Sequence, residues 1–173
     1  KKLLGGSVRF HHCKLNFKLP SKKGGEVSWH QDWAFYPHTN DDLITVGVYL
    51  EDCFEENGPL QVIPKSHKKK IYNHHNKNKE FVGKICEKIN LKNKKSLIGK
   101  AGTVTFHHVR TVHGSGLNLK NSKRPLMLFG YTNTDAWPLT SDASVNPNED
   151  FEKYNKCIIV GKKTLIPRFE KVP

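Results

Sequence analysis

His30 and Asp32 are separated by a single residue in a stretch that reads as extended, residues 26–36. Side chains two positions apart on a strand project from the same face, so the imidazole and the carboxylate stand side by side while Gln31 points away. Both groups are metal ligands. A second histidine from a distant strand would complete a set of two histidines and one carboxylate, which leaves open positions on iron(II). The pair occurs by chance in many chains, so it predicts a metal centre only with that third ligand.

The third ligand that we favour among the ten histidines is His113, because of the residues around it. It is followed by Gly114-Ser115-Gly116 and lies 11 residues before Arg124. We expect a hairpin connection of that length to return the chain so that Arg124 faces the same cavity as His113. A fixed guanidinium there suits a bidentate contact with the far carboxylate of a dicarboxylate cosubstrate, and Ser115 would add a hydroxyl.

The other side chains that could contribute are given a structural role at this stage. Trp33, Phe35 and Tyr36 follow the His30–Asp32 pair, where they would line the pocket or simply pack in the core. Eight histidines lack a carboxylate or cysteine partner at metal-ligand spacing, although two of them near the predicted site could donate hydrogen bonds to the ligands. The eight are His11, His12, His38, His67, His74, His75, His107 and His108.

The elements that must position these groups are mainly β-strands. Alternation of apolar and polar residues, β-branched runs and frequent Gly and Pro favour many short strands in a single domain over residues 1–173. We expect one amphipathic helix over residues 81–89 and another that starts near Asn148. The predicted strands cover residues 8–19, 26–36, 43–50, 60–63, 103–106, 110–113, 125–132 and 157–160.

The positive charge of the chain is concentrated in one segment, residues 65–100. This segment holds 12 Lys against only Glu80 and Glu87, whereas the whole chain has a net charge of +13. The chain has 25 Lys and only 4 Arg, although phosphate and base recognition favours the guanidinium fork of Arg. The composition therefore predicts a solvated, lysine-rich insertion and no specific nucleic-acid partner. A weak anionic partner, such as a nucleotide-bearing or carboxylate substrate, is the alternative.

The compartment is predicted from cysteines and hydropathy. Cys13, Cys53, Cys86 and Cys157 are widely spaced and form no C-x-x-C pair, which favours free thiols in a reducing compartment. No run approaches the roughly 20 apolar residues of a membrane span. We therefore expect a cytoplasmic protein without a membrane partner. Because the chain starts at Lys1 and a strand follows at once, we also expect that an N-terminal part of the domain is missing.

Five sequence blocks together resemble the phytanoyl-CoA dioxygenase family. They are Trp29-His30-Gln31-Asp32-Trp33, Glu56-Asn57-Gly58-Pro59-Leu60, Ile63-Pro64-Lys65-Ser66-His67, Gly102-Thr103-Val104-Thr105-Phe106-His107 and His113-Gly114-Ser115-Gly116. The resemblance implies a double-stranded β-helix, or jelly roll, and a dioxygenase that uses Fe(II), 2-oxoglutarate and O2. It implies iron ligation by His30, Asp32 and His113, with Arg124 and Ser115 on 2-oxoglutarate. A small organic substrate would be hydroxylated, with release of succinate and CO2.

Two other functions fit parts of the pattern. A cupin-type metal-dependent hydrolase or isomerase would use the same three ligands for zinc or iron, without a role for Arg124. A basic, non-catalytic binding module would use the face of residues 65–100 and would bind with a steep salt dependence. The identity of the substrate and the oligomeric state are not determined by any motif in the sequence.

Overall fold

The computed structural model describes residues 1–21, 25–140 and 147–171. Within these residues the chain forms two antiparallel sheets, three short 3-10 helices and one α-helix. The strands are β1 (Val8–Lys18), β2 (Val27–His30), β3 (Leu43–Tyr49), β4 (Leu60–Val62), β5 (Lys95–Leu97), β6 (Val104–His108), β7 (His113–Ser115), β8 (Arg124–Asn133) and β9 (Ile158–Val160). The 3-10 helices are Asp32–Ala34, Glu55–Asn57 and Ser66–Lys68, and α1 is Pro147–Lys156.

The larger sheet has the strand order β6-β3-β8-β1-β9. Its strand β3, which lies between β6 and β8, alternates strictly, with Leu43, Thr45, Gly47 and Tyr49 buried and the residues between them only half-buried. This alternation is the period of two that a strand imposes on its side chains. The buried set includes a hydroxyl and a phenol as well as apolar groups, so this sheet turns a partly polar face inward.

The smaller sheet, in the order β2-β7-β4-β5, is built from strands of three or four residues. Strand β7 lies in its centre and pairs with β2 and β4. His30 on β2 and His113 on β7 are direct register partners. Because directly opposed residues on one face have their Cβ atoms only about 5 Å apart, this pairing brings the two imidazoles together.

The apolar core is split into two small clusters beside the polar interior. One contains Tyr49, Cys53, Leu126 and Leu128. The other contains Trp33, Leu43, Val109 and Ala136, with Tyr36 and Ile71 packed against it.

Apolar alternation predicts the strand β1 but does not identify its buried residues. Leu15 and Phe17 are 41% and 51% exposed, whereas Arg9 and Lys18 are buried. Val8 is buried as well, so burial on this strand does not follow hydropathy. A register shift between Phe10 and His12, where β1 pairs with β8, also interrupts the alternation.

The lysine-rich segment differs from its prediction in two respects, an absent helix and an unpredicted strand. Residues 81–89 form no helix, and the backbone runs through turns and an isolated bridge between His75 and Phe81. Its end supplies β5, which pairs with β4. All 12 lysines of residues 65–100 are exposed, as a solvated segment requires. None of the helices in the described part of the chain has the length and hydropathy that crossing a membrane demands.

The first testable prediction concerns the close approach of β7 to β2. A Cβ at Gly114 would lie 2.8 Å from the backbone oxygen of Val27, and a backbone atom in a sheet has little freedom to move away. We expect Gly114→Ala to lower the free energy of unfolding by about 1–3 kcal/mol, measured by urea denaturation. Gly116→Ala is the matched control, because a Cβ there meets nothing within 4 Å. Equal stability of the two variants would contradict this account of the sheet.

Candidate active site

The side chains of His30, Asp32 and His113 converge on one point. Nε2 of His30 and Nε2 of His113 each lie 3.6 Å from Oδ1 of Asp32. One ligand atom from each residue lies within 4.8 Å of the other two, and within the described residues no other such group of three is present. The two imidazole rings are 4.1 Å apart between centroids. The arrangement could hold one metal ion.

The two histidines are brought together by strand pairing, but Asp32 reaches the same point differently. The extended run predicted over residues 26–36 ends at His30, and Asp32 starts a 3-10 helix. Its turn is held by the backbone N–H of Trp33, which donates to the Val109 carbonyl at 3.1 Å. The expected juxtaposition of imidazole and carboxylate is therefore present, although a tight turn produces it rather than a continuous strand.

A backbone hydrogen bond fixes the tautomer of each histidine. Nδ1 of His30 lies 2.7 Å from the carbonyl oxygen of Ser28, and Nδ1 of His113 lies 2.8 Å from that of Thr111. A carbonyl oxygen only accepts, so Nδ1 carries the proton in both rings. In the neutral imidazole Nε2 then keeps its lone pair, which is the form that binds a metal.

The Asp32 carboxylate is buried but well stabilised. Thr45 donates to its Oδ2 at 3.0 Å, and Nε2 of His107 lies 3.5 Å from the same oxygen. Burial by itself would raise the pKa of Asp32, but His113, His107 and His30 outweigh it and hold that pKa well below its ordinary value. Burial lowers the pKa of His113 to about 3. At neutral pH the site therefore offers a carboxylate and a neutral imidazole without competition from protons.

Gln31, between two of the three converging residues, points away from them and is fully buried. Its Nε2 donates to the Arg110 carbonyl at 2.8 Å, and its Oε1 accepts from the backbone N–H of Tyr72 at 2.8 Å. Its own backbone N–H donates to Nε2 of His74 at 3.0 Å. The turn that carries His30 and Asp32 is therefore tied to the lysine-rich segment and to the loop before β7.

Arg124 has the unsatisfied donors that a carboxylate requires. Its Nη2 donates to the Gly58 carbonyl at 2.9 Å. Its Nε and Nη1 are buried without a hydrogen-bond partner among the described residues, and so is the hydroxyl of Ser115. Unpaired buried donors are costly, so their presence indicates a ligand that is not part of the chain. A carboxylate is one group that could accept hydrogen bonds from donors of this kind.

The route by which Arg124 enters the interior differs from the prediction. Strand β7 belongs to the smaller sheet and β8 to the larger one, so the connection between them crosses from sheet to sheet and is not a hairpin. Gly58, the partner of Arg124, lies against the backbone of Gly116, since a Cβ at Gly58 would be 2.8 Å from the Gly116 oxygen. The guanidinium thus reaches the end of β7 from the opposite sheet.

Sequence reasoning missed Lys18, a second cation beside Arg124. The two residues are register partners on β1 and β8. Nζ of Lys18 donates to the Gly25 and Gly116 carbonyls at 2.6 and 2.8 Å. Burial and the charge of Arg124 lower the pKa of Lys18 to about 8. Only the pairing register reveals this residue, because alternation places Lys18 opposite the apolar Phe17 and Leu19 and so gives no reason to expect it inside.

The three aromatic residues after Asp32 have different environments. Trp33 packs in the core with Leu43 and Val109. Phe35 lies against His30, with ring centroids 5.5 Å apart, and also contacts Phe81 of the lysine-rich segment at 5.1 Å. Phe35 is therefore placed at the edge of the predicted metal site, while Trp33 has a structural position.

Comparison with known proteins identifies relatives of this chain. Residues 2–126 match the family described as Phytanoyl-CoA dioxygenase (PhyH). A probable alpha-ketoglutarate-dependent hypophosphite dioxygenase of Stutzerimonas stutzeri is 42% identical, over 98% of this chain and 59% of its own length. The L-proline trans-4-hydroxylase of Streptomyces griseoviridis is 30% identical, over 80% of this chain and 61% of its own length. The chain thus spans about three fifths of these two relatives.

The fold comparison agrees with the sequence comparison. A solved structure described as the non-heme monooxygenase ThoJ in its apo form superposes with a TM-score of 0.72 at 21% identity, covering 99% of this chain and 60% of that one. The predicted jelly roll is confirmed. The relatives favour the predicted dioxygenase over the hydrolase, the isomerase and the basic binding module.

The second prediction tests Gln31 as the residue that positions the converging side chains. Gln31→Leu keeps the volume and removes the three side-chain hydrogen bonds, to the Lys70 and Arg110 carbonyls and from the N–H of Tyr72. We therefore expect Co(II) affinity to fall by about 10-fold to 100-fold, as in other sites that lose an outer hydrogen bond. The measurement is a metal titration by calorimetry. Gln61→Leu is the control, since the side chain of Gln61 hydrogen-bonds to that of Ser96 on β5 and, within the described residues, contacts none of the three converging side chains. Unchanged metal affinity in Gln31→Leu would refute the positioning role.

Proposed function

The chain belongs to the phytanoyl-CoA dioxygenase family, and from this membership we propose that it is the core of an Fe(II)- and 2-oxoglutarate-dependent dioxygenase that hydroxylates a small molecule. His30, Asp32 and His113 would hold the iron. Arg124 and Ser115 would bind the far carboxylate of 2-oxoglutarate. With both groups and O2 bound, one oxygen atom of O2 would enter the substrate and the other would enter succinate, as 2-oxoglutarate loses CO2.

The observation that carries this proposal is the pairing of two incomplete sites inside one fold. One site has three ligands with their lone pairs already aimed at a common point. The other has the unpaired donors of Arg124 and Ser115. A metal alone would leave the donors of the second site unpaired, and an anion alone would leave the three ligands of the first site without a metal. A metal-chelating acid with a second carboxylate supplies partners to both.

The residues of the chain contribute position, charge and exclusion of water. The hydrogen bond from Thr45 fixes the orientation of the Asp32 carboxylate, so only Oδ1 is left toward the two histidines. Lys18 adds positive charge beside Arg124 and favours the anionic cosubstrate. The buried clusters around Tyr49 and Trp33 keep bulk water from both groups, which strengthens these electrostatic contacts.

The substrate, like the activity, is a proposal. The Stutzerimonas relative is named for hypophosphite and the Streptomyces relative for L-proline, so both are small molecules and both should be tested. We keep a cytoplasmic location within the proposal, supported by the absence of a disulfide among Cys13, Cys53, Cys86 and Cys157. The lysines of residues 65–100 are exposed, and no arginine lies among them. This composition argues against a specific nucleic-acid partner.

The third prediction is the activity itself. Iron-loaded protein should convert 2-oxoglutarate to succinate, faster with its substrate than without, and His30→Ala should lose this activity because the metal loses one of its three ligands. Succinate is quantified by mass spectrometry. His75→Ala is the control, since His75 is exposed. Protein that binds both iron and 2-oxoglutarate yet forms no succinate with any substrate tested would contradict the proposal.

The fourth prediction separates the dioxygenase from a metal hydrolase with the same ligands. Arg124→Ala should weaken 2-oxoglutarate binding by at least about 30-fold, because truncating one member of a buried charge pair costs roughly 2 kcal/mol or more. Arg124→Lys should restore part of the affinity, since it keeps the charge but not the bidentate geometry. Binding is measured by calorimetry under nitrogen. The control is Lys123→Ala, which removes the neighbouring but exposed cation. Equal affinity in Arg124→Ala and in the unmodified protein would refute the assignment.

A further inference from the structure

His30 is the ligand of the metal site that the fold encloses least. Its side chain is 11% exposed, against 7% for Asp32 and 7% for His113. It ends β2, a strand of four residues at the edge of the smaller sheet, whereas His113 lies on β7 in the interior of that sheet. Short edge strands open more readily than central ones, because fewer contacts hold them. A metal ion would therefore be released most readily through the His30 side of the site.

A segment of the lysine-rich region, residues 72–86, holds the chain on both sides of this histidine. We call this segment the strap. The N–H of Ile85 donates to the Trp29 carbonyl at 2.9 Å. The backbone N–H of Gln31 donates to Nε2 of His74 at 3.0 Å. The residues directly before and after the ligand are thus tied to one and the same segment, which comes much later in the chain.

The strap is closed on itself, without a helix or a sheet. The N–H of Cys86 near its end donates to the carbonyl of Asn73 near its start at 2.8 Å. Inside the loop His75 and Phe81 form an isolated bridge, with ring centroids 5.7 Å apart. Compact loops whose ends meet and whose own side chains pack are frequently functional. The strap therefore presents the Phe81 ring in a defined position.

Phe35 connects the strap to the His30 ring. It lies edge-on to His30, with centroids 5.5 Å apart and an interplanar angle of 80°. Phe81 packs on Phe35 in the same manner, at 5.1 Å and 86°. Gly83, with a φ of +65° that favours glycine, lies so close that a Cβ there would be 3.3 Å from the Phe35 ring. Movement of Phe35 away from His30 is therefore opposed by Phe81 and Gly83 together.

The two phenylalanines have no part in the apolar core. Phe35 is 46% exposed and Phe81 is 45% exposed, and neither belongs to the two buried clusters. Substitutions at exposed positions usually change the stability of a fold only slightly. An effect of these rings on metal binding can therefore be separated from an effect on folding.

We propose that Phe35 and Phe81 are positioning residues that retain the metal. The strap keeps Phe35 against His30, so this ligand stays aimed at the ion, and the ion leaves only when the strap lets β2 open. The inference rests on the metal site of the proposed function and gives the lysine-rich segment a task there. It concerns the rate at which the ion leaves and not the reaction.

The fifth prediction is a faster release of the metal when the Phe81 ring is removed. Co(II)-loaded protein is mixed with excess EDTA in a stopped-flow instrument, and the loss of the cobalt absorption gives the rate of release. We expect Phe81→Ala to release Co(II) about 2-fold to 10-fold faster than the unmodified protein, the effect of one lost aromatic pair. Phe81→Leu should be intermediate, because leucine keeps part of the apolar contact. Phe54→Ala is the matched control, since Phe54 is 44% exposed and its ring lies beside Lys120.

A double variant tests the route through Phe35. If Phe81 acts through the Phe35 ring, the combination of Phe35→Ala and Phe81→Ala should release Co(II) no faster than Phe35→Ala alone. The reason is that the first truncation already removes both ring contacts. Rates that multiply in the double variant would mean that the two rings act independently, and would overturn this route.

Folding and metal binding are measured beside the rate. The urea midpoint of metal-free Phe81→Ala should equal that of Phe54→Ala, and a lower midpoint would reduce the strap to a general support of the fold and overturn the proposal. Equal release rates in Phe81→Ala and in the unmodified protein overturn it as well, but leave the metal site standing because both bind Co(II). Unmodified protein that binds no Co(II) overturns the metal site itself, and the proposed function with it.

Discussion

Burial of the Asp32 carboxylate is the constraint on which the site depends. A carboxylate out of water is unstable unless charges and hydrogen bonds compensate for its lost hydration. Here one oxygen is held by Thr45 and approached by His107, and the other faces His30 and His113. The compensation comes from both sheets and from the turn between β2 and β3. If the sheets separated, the carboxylate would either be exposed to water or lose the groups that stabilise it. The interior of the fold is polar for this reason.

The imidazoles that surround the carboxylate are oriented by the backbone. His30, His38, His74 and His113 all hydrogen-bond through Nδ1 to the carbonyl two residues earlier. This contact is local, so no distant residue is needed to form it, and the lone pair of Nε2 stays free. What each histidine does then depends on what faces Nε2. In His74 it is the backbone N–H of Gln31, and in His30 and His113 it is Asp32 and the space beside it. Nε2 of His38 has no hydrogen-bond partner among the described residues.

The sequence predicted the three converging residues and the strands other than β5, because both are expressed in short-range patterns and motifs. The faces of β1 were not predictable in the same way. Leu15 and Phe17 are exposed, whereas the basic Arg9 and Lys18 are buried, so hydropathy does not identify the buried side chains of this strand. The position of Lys18 beside Arg124 depends on the pairing of β1 with β8. Such pairing joins distant strands, and no local pattern contains it.

The structural role of the lysine-rich segment does not follow from its composition. Its charges are all at the surface, and the predicted helix is absent because the backbone is used elsewhere. The N–H of Tyr72 and the ring of His74 both hydrogen-bond to Gln31. The N–H of Ile85 donates to the Trp29 carbonyl. Phe81 packs against Phe35, which lies beside His30. A helix over residues 81–89 would withdraw the Ile85 N–H into its own hydrogen bonds. The irregular backbone of this segment is therefore what supports the turn that carries His30 and Asp32.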